Sequence, residues 1–106
     1  MRSGNLFSNI PERVREEMFE TVVGSEQVRI ERIVSDDHAS PQGCWFDQNE
    51  NEWVLLLQGS AGLRFEGEDE ILVLNRGDWI EIPAHVKHRV EWTDPKEKTL
   101  WLAVFY

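Results

Sequence analysis

Apolar and polar residues alternate in short runs along most of the chain, and turn-forming residues bound each run. Such alternation is typical of β-strands with one buried face. We predict about eight strands, in chain order 19–23, 28–34, 53–58, 63–66, 71–74, 79–83, 88–92 and 100–106. A short N-terminal helical turn is predicted only over 13–19, after Pro11, since proline favours the first helical position. This order of elements predicts an all-β sandwich or barrel.

Length and charge narrow the class of protein. The 106 residues are expected to form one domain, residues 1–106. Lys and Arg number 11 against 20 Asp and Glu, a net charge of −9, which argues against nucleic-acid and anionic membrane partners. No apolar run approaches the roughly 18 residues that cross a bilayer, and no secretory signal is visible. We therefore expect a cytoplasmic protein. The single cysteine excludes an intramolecular disulfide.

Two spaced motifs resemble the paired signatures of the cupin superfamily. Glu52 is followed by six residues and then Gly59, like the second half of the first signature. Gly77, five residues, Pro83 and then His88 are similar to most of the second. The chain therefore resembles a small single-domain, type-2 cupin. The resemblance implies a single jelly-roll-like β-barrel.

The first signature departs from the cupin pattern upstream of Glu52. In cupins two histidines, a glutamate and a later histidine form a metal-binding set inside the barrel. With a four-residue spacing before Glu52, the two histidine positions hold Trp45 and Asp47; with a three-residue spacing they hold Phe46 and Gln48. Only the glutamate and the last histidine of the family's set are present.

Glu52 and His88 are the first candidates for a site. Glu52 lies in phase with Val54 and Leu56, so we expect all three on one strand face. If that face lines the barrel, the carboxylate needs a partner, because an unpaired buried charge is costly. A metal cation or His88 could supply it, and both alternatives stay open.

The remaining candidates lie outside the matched positions. Asp47 is a hard oxygen donor suited to a metal such as Mn, Fe or Mg, or else an ordinary acidic turn residue. His38 and His85 lie in loops that could reach the barrel mouth, or they fix those loops. Trp45, in phase with Asp47, is the aromatic residue we expect in the pocket. Trp53, out of phase with Glu52, is expected on the outer face.

Two functions are consistent with these residues. We expect a barrel that binds a divalent metal (Mn, Fe, Zn or Mg) and a small polar molecule, with Glu52, His88, Asp47, His38 and His85 as candidate ligands. The alternative is a non-catalytic binding or sensing barrel without a metal. Neither the ligand nor any reaction is identified by the sequence. Apolar segments at both ends, which could cover open sheet edges, predict a homodimer.

Overall fold

A computed structural model describes residues 1–106 and contains strands but no helix. The strands are β1 (Met18–Gly24), β2 (Arg29–Ser35), β3 (Glu52–Gln58), β4 (Ser60–Phe65), β5 (Leu72–Asn75), β6 (Trp79–Ile82), β7 (His88–Thr93) and β8 (Thr99–Phe105). The helical turn predicted after Pro11 does not form; bends and irregular backbone lead directly into β1. The segment is too short to nucleate a helix in isolation, and packing of Val14 on the sheet decides its path.

The strands form two antiparallel sheets that face each other. The larger sheet has the order β1-β2-β8-β3-β6 and the smaller β5-β4-β7. A cluster of ten buried apolar residues, drawn from strands of both sheets, fills the space between them. The chain is therefore the all-β, jelly-roll-like barrel that the alternating pattern predicts.

Alternation along the strands decides which side chains enter the barrel. On β3, Glu52, Val54 and Leu56 are buried, and Glu52 and Val54 line the interior. Trp53 lies on the opposite face, where its ring packs against Trp79 with centroids 6.0 Å apart. The outward position expected for Trp53 is thus observed, and Glu52 is placed inside.

The turn between β3 and β4 is shorter than its sequence predicts. The predicted strands 53–58 and 63–66 leave a turn of four residues, but β4 begins at Ser60 and only Gly59 separates β3 from β4. Gly59 has φ 85°, and a Cβ on it would lie 2.9 Å from the Cα of Thr99. Gly62, inside β4, leaves room for the indole of Trp92. Both glycines reflect close packing rather than a long turn.

The N-terminal segment, residues 5–17, lies across the outer face of the larger sheet. The buried Arg32 of β2 donates hydrogen bonds to the carbonyl oxygens of Leu6 (3.1 Å) and Ser8 (2.6 Å). Val14 packs with Val34 and Leu100 in a second apolar cluster. The sheet therefore positions this segment through both a buried guanidinium and an apolar contact.

The sequence also predicts a homodimer, a cytoplasmic location and no membrane-spanning segment. The structure, having no helix, offers none that could span a membrane. The homodimer and the cytoplasmic location stay predictions. Phe7 is exposed and Leu6 is half-buried against the barrel.

Candidate functional site

A cavity of about 220 Å³ lies between the two sheets. Of its 15 lining residues, nine are hydrophobic, and all of these except Phe46 lie on strands of the two sheets. The polar groups that reach it are Glu17, Arg29, Glu31, Gln48, Glu52 and His88. An apolar chamber with a few polar groups has the composition of a small-molecule site.

Glu52 and His88 meet in the wall of this cavity, with 8% and 5% of their surfaces exposed. His88 Nε2 lies 3.5 Å from Glu52 Oε1. His88 Nδ1 lies 2.9 Å from the carbonyl oxygen of Val86, and since a carbonyl can only accept, Nδ1 carries a proton. Gln48 Nε2 donates to Glu52 Oε1 at 3.0 Å, while Oε2 accepts no hydrogen bond from the chain. One carboxylate oxygen is thus left for a ligand.

The surroundings of His88 raise its pKa above the ordinary value. Burial lowers the pKa, but the hydrogen bonds to Glu52 and to the Val86 carbonyl, with the negative charge of Glu52, outweigh burial. The folded chain therefore holds the imidazolium form of His88 more strongly than the unfolded chain does.

We expect the stabilisation by His88 to be greatest at acidic pH. A raised folded-state pKa contributes stability that is fully present below the unfolded-state pKa, about 6.5, and is lost as pH rises through the folded-state pKa. His88→Ala should lower stability by roughly 3 kcal/mol at about pH 5, because Glu52 is left buried without its partner. The loss should shrink toward about pH 8.

Thermal melts of both proteins between about pH 5 and 8 measure this difference. His85→Ala is the matched control, because His85 lies outside the cavity. A difference between wild type and His88→Ala that grows as pH rises would contradict the assigned pairing of His88 with Glu52.

The other predicted ligands do not join Glu52 and His88. Asp47 and His85 pair with each other at 3.0 Å on the surface, with side chains 40% and 64% exposed. His38 is used by the backbone: the N–H of Asp36 donates to its Nδ1 (2.8 Å), and its Nε2 donates to the carbonyl of Arg15 (2.7 Å). These interactions fix loops, so the predicted five-residue metal set is not assembled.

The structure decides between the two motif spacings. Phe46 and Gln48 line the cavity, as the three-residue spacing requires, and the Phe46 ring stacks on His88 with centroids 5.5 Å apart. Backbone hydrogen bonds in both directions between Phe46 and His88, of 2.7 and 3.1 Å, fix this register. Trp45 does not line the cavity.

Trp45 lies in an adjoining groove instead, against the guanidinium groups of Arg64 (5.3 Å) and Arg89 (5.8 Å). Arg89 also donates hydrogen bonds to the carbonyl oxygens of Ser40, Pro41 and Cys44. Trp45, expected in the pocket, thus lines the adjoining groove, while Phe46, one residue further on, lines the cavity. The reason is the pairing of Phe46, rather than Trp45, with β7.

Glu17 also belongs to this site, although it is not among the residues that the sequence predicts. Its side chain lines both the cavity and the adjoining groove, and Ser35 Oγ donates to its Oε2 at 2.7 Å. Trp101 Nε1 in turn donates to Ser35 Oγ at 3.1 Å. Burial raises the pKa of Glu17, the hydrogen bond from Ser35 and the nearby His38 oppose this, and the charge of Glu52 adds a smaller rise. No motif pointed to Glu17, because only the path of the N-terminal segment brings it to the barrel.

The donor set does not fit the metal that the fold family implies. Nowhere in the chain do three or more His, Cys, Asp or Glu side chains converge on a point that could hold a metal ion. Glu52 and His88 supply two donors, whereas a resident transition metal usually takes three or four from the protein. A phenyl ring and an amide occupy the other two places. The site is therefore a paired carboxylate and imidazole in an apolar barrel.

The fold and the site together define the class of protein: an all-β barrel with polar side chains in its interior. Residues 41–105 match the cupin domain family. The chain belongs to that family. No curated protein matches the chain.

Solved structures extend the comparison over nearly the whole chain. A presumed mannose-6-phosphate isomerase from Ralstonia eutropha JMP134 is 44% identical, with TM-score 0.95, covering 99% of this chain and 97% of that one. A cupin superfamily protein from Desulfitobacterium hafniense DCB-2 is 21% identical (TM-score 0.73; 91% and 82% covered). The polyketide cyclase RemF from Streptomyces resistomycificus is 19% identical (TM-score 0.76; 99% and 78% covered). The last two share the fold alone.

Proposed function

We propose that this cupin binds a small organic molecule in its barrel cavity without a resident metal. The supporting observation is the buried Glu52–His88 pair, which leaves Glu52 Oε2 without a donor in a chamber lined mainly by hydrophobic residues. A carboxylate oxygen that faces a mostly apolar cavity is stabilised by a hydrogen-bond donor, which a ligand can provide. Phe46 and Gln48 replace the imidazoles that would otherwise complete a metal set.

The cavity volume limits the size of the ligand. An apolar cavity of about 150 Å³ holds benzene. At about 220 Å³, the barrel suits a molecule of roughly one ring with a short polar substituent. The polar substituent is expected next to Glu52 and the hydrophobic part against the apolar walls.

The charges in this cavity argue against mannose 6-phosphate, the substrate in the name of the Ralstonia protein, as its ligand. A phosphate group needs a cationic partner. Arg29 is the only Arg or Lys among the lining residues, and Glu31 (2.6 Å) and Glu50 (3.2 Å) already pair with it. We therefore propose a ligand that donates hydrogen bonds rather than a sugar phosphate.

Metal analysis of native protein, purified without chelator, separates this proposal from a metal-binding alternative. We expect substoichiometric metal, and melts that EDTA leaves unchanged. One equivalent of Mn, Fe or Zn per chain, lost in both Glu52→Ala and His88→Ala but kept in His85→Ala, would overturn the metal-free proposal. Titration with small ring compounds, followed by the fluorescence of Trp101 in the cavity wall, then tests binding directly.

A further inference from the structure

Three carboxylates line the cavity; Glu31 is paired with Arg29, and each of the other two, Glu52 and Glu17, has one oxygen that the chain leaves without a donor. Glu52 Oε1 accepts from Gln48, and Glu17 Oε2 accepts from Ser35. Glu52 Oε2 and Glu17 Oε1 accept no hydrogen bond from any group of the chain. Glu52 lies deep in the barrel wall, whereas Glu17 lies where the cavity joins the outer groove. Acceptors thus stand at two points along one chamber.

The charges around the chamber are predominantly negative. Glu17, Glu31 and Glu52 line it, opposed by Arg29 and, when protonated, by His88. Arg29 is held by Glu31 and by Glu50, and its guanidinium lies 4.4 Å from the Phe105 ring centroid. Arg29 is neutralised by these two carboxylates, so within the chamber only protonated His88 opposes the negative charge of Glu17 and Glu52, while Arg15 and His38 line the groove beside Glu17.

Aromatic rings line the cavity together with the two carboxylates. Phe19 and Phe46 line both the cavity and the groove, and Trp101 lines the cavity. The face of an aromatic ring attracts a cation through its quadrupole. A positively charged group between Glu17 and Glu52 would therefore meet carboxylates and ring faces, which together favour it over a neutral or negative group.

We propose that the ligand of this cavity is a small organic cation, a primary amine or similar ammonium on a hydrophobic body of about one ring. This inference rests on the proposed function and specifies its ligand class. The ammonium group donates to the free oxygen of one of the two carboxylates and is attracted by the charge of the other, and the hydrophobic body packs on Phe46 and Trp101. Burial and, to a smaller extent, the charge of Glu52 raise the pKa of Glu17. A bound cation favours the charged form of this carboxylate and so opposes the rise.

Three probes of matched size test the charge preference: benzylamine, benzyl alcohol and benzoate. Titrations at about pH 7.5, where an aliphatic amine is protonated, give dissociation constants by calorimetry and Trp fluorescence. We expect benzylamine to bind about tenfold more tightly than benzyl alcohol, since a charge-assisted hydrogen bond is stronger than a neutral one. Benzoate should bind most weakly.

The carboxylates are then neutralised one at a time. Glu52→Gln and Glu17→Gln should each weaken benzylamine by about tenfold, while benzyl alcohol stays within about twofold. Glu97→Gln, on an exposed turn away from the cavity, is the charge-matched control and should change nothing. Circular dichroism confirms folding, and if Glu52→Gln fails to fold, Glu17→Gln carries the test alone.

The outcomes distinguish a failure of the cation preference from a failure of the proposed small-molecule binding. Benzyl alcohol or benzoate binding as tightly as benzylamine, or benzylamine affinity unchanged in both variants, would overturn the cation preference and leave small-molecule binding standing. Failure of all three probes to bind would count against the proposed function itself, and the cation inference would fall with it.

Discussion

Replacing Phe46 and Gln48 together with histidine is expected to convert the barrel into a metal-binding protein. Both side chains line the cavity with Glu52 and His88, so two imidazoles there would bring the donors to four. We expect one Zn²⁺ or Mn²⁺ per chain, with a dissociation constant below about 1 µM. At metal 100-fold above that constant, stability should rise by about 2.7 kcal/mol, or roughly 10 °C in melting temperature.

The double variant Trp45→His with Asp47→His is the matched control, because it adds the same two imidazoles one residue earlier. Trp45 lies in the outer groove and Asp47 on the surface, so this variant should bind no stoichiometric metal in the barrel. Metal content by mass spectrometry, with melts with and without added zinc, compares the two variants. Equal metal in both would show that the three-residue spacing is the wrong register.

Substituting Gly59 by alanine is expected to be among the most damaging single changes in the chain. An alanine at φ 85° costs about 1–2 kcal/mol. Its Cβ would also lie 2.9 Å from the Cα of Thr99, a backbone atom of β8 that cannot rotate away. Overpacking adds roughly 1–3 kcal/mol, so we expect a total loss of about 3 kcal/mol or more.

Gly77→Ala isolates the contribution of the close contact. Gly77 has a similar φ of 89°, but nothing lies within 4 Å of the position its Cβ would take. It should therefore lose only the conformational part, about 1 kcal/mol. Urea denaturation of the two variants and wild type gives both values. Equal losses at the two positions would show that Thr99 moves aside and that the contact contributes nothing.

The fold was largely predictable because strand alternation is a local property of the sequence. Each predicted strand appears within a few residues of its expected place, and the inward face of β3 follows from its periodicity. The wrong predictions lie where packing against other parts of the chain, rather than the local sequence, sets the conformation. Gly62 looks like a turn residue, yet it lies within β4, where the space above it holds Trp92. The charged residues after Pro11 looked helical, but their path is set by the sheet beneath them.

The site was predictable only in part. The motif spacings pointed to Glu52 and His88, and the structure brings them together. The motif spacings could not decide between Trp45 and Phe46, because the four-residue and three-residue spacings differ by one position. Only the backbone pairing with β7 fixes the register. Glu17 lies 35 positions before Glu52, with no spacing rule joining them, and reaches the cavity through the N-terminal segment.

The anchoring of that segment by Arg32 links the order of folding to the completeness of the site. The carbonyl oxygens of Leu6 and Ser8 can accept hydrogen bonds from Arg32 only after β2 has paired within its sheet. The N-terminal segment therefore closes only onto a barrel that has already formed. The segment also carries Glu17. A local opening of the N-terminus that extends to Glu17 therefore withdraws one carboxylate from the cavity. A ligand held by Glu17 would in turn slow that opening, so occupancy and N-terminal hydrogen exchange are thermodynamically linked.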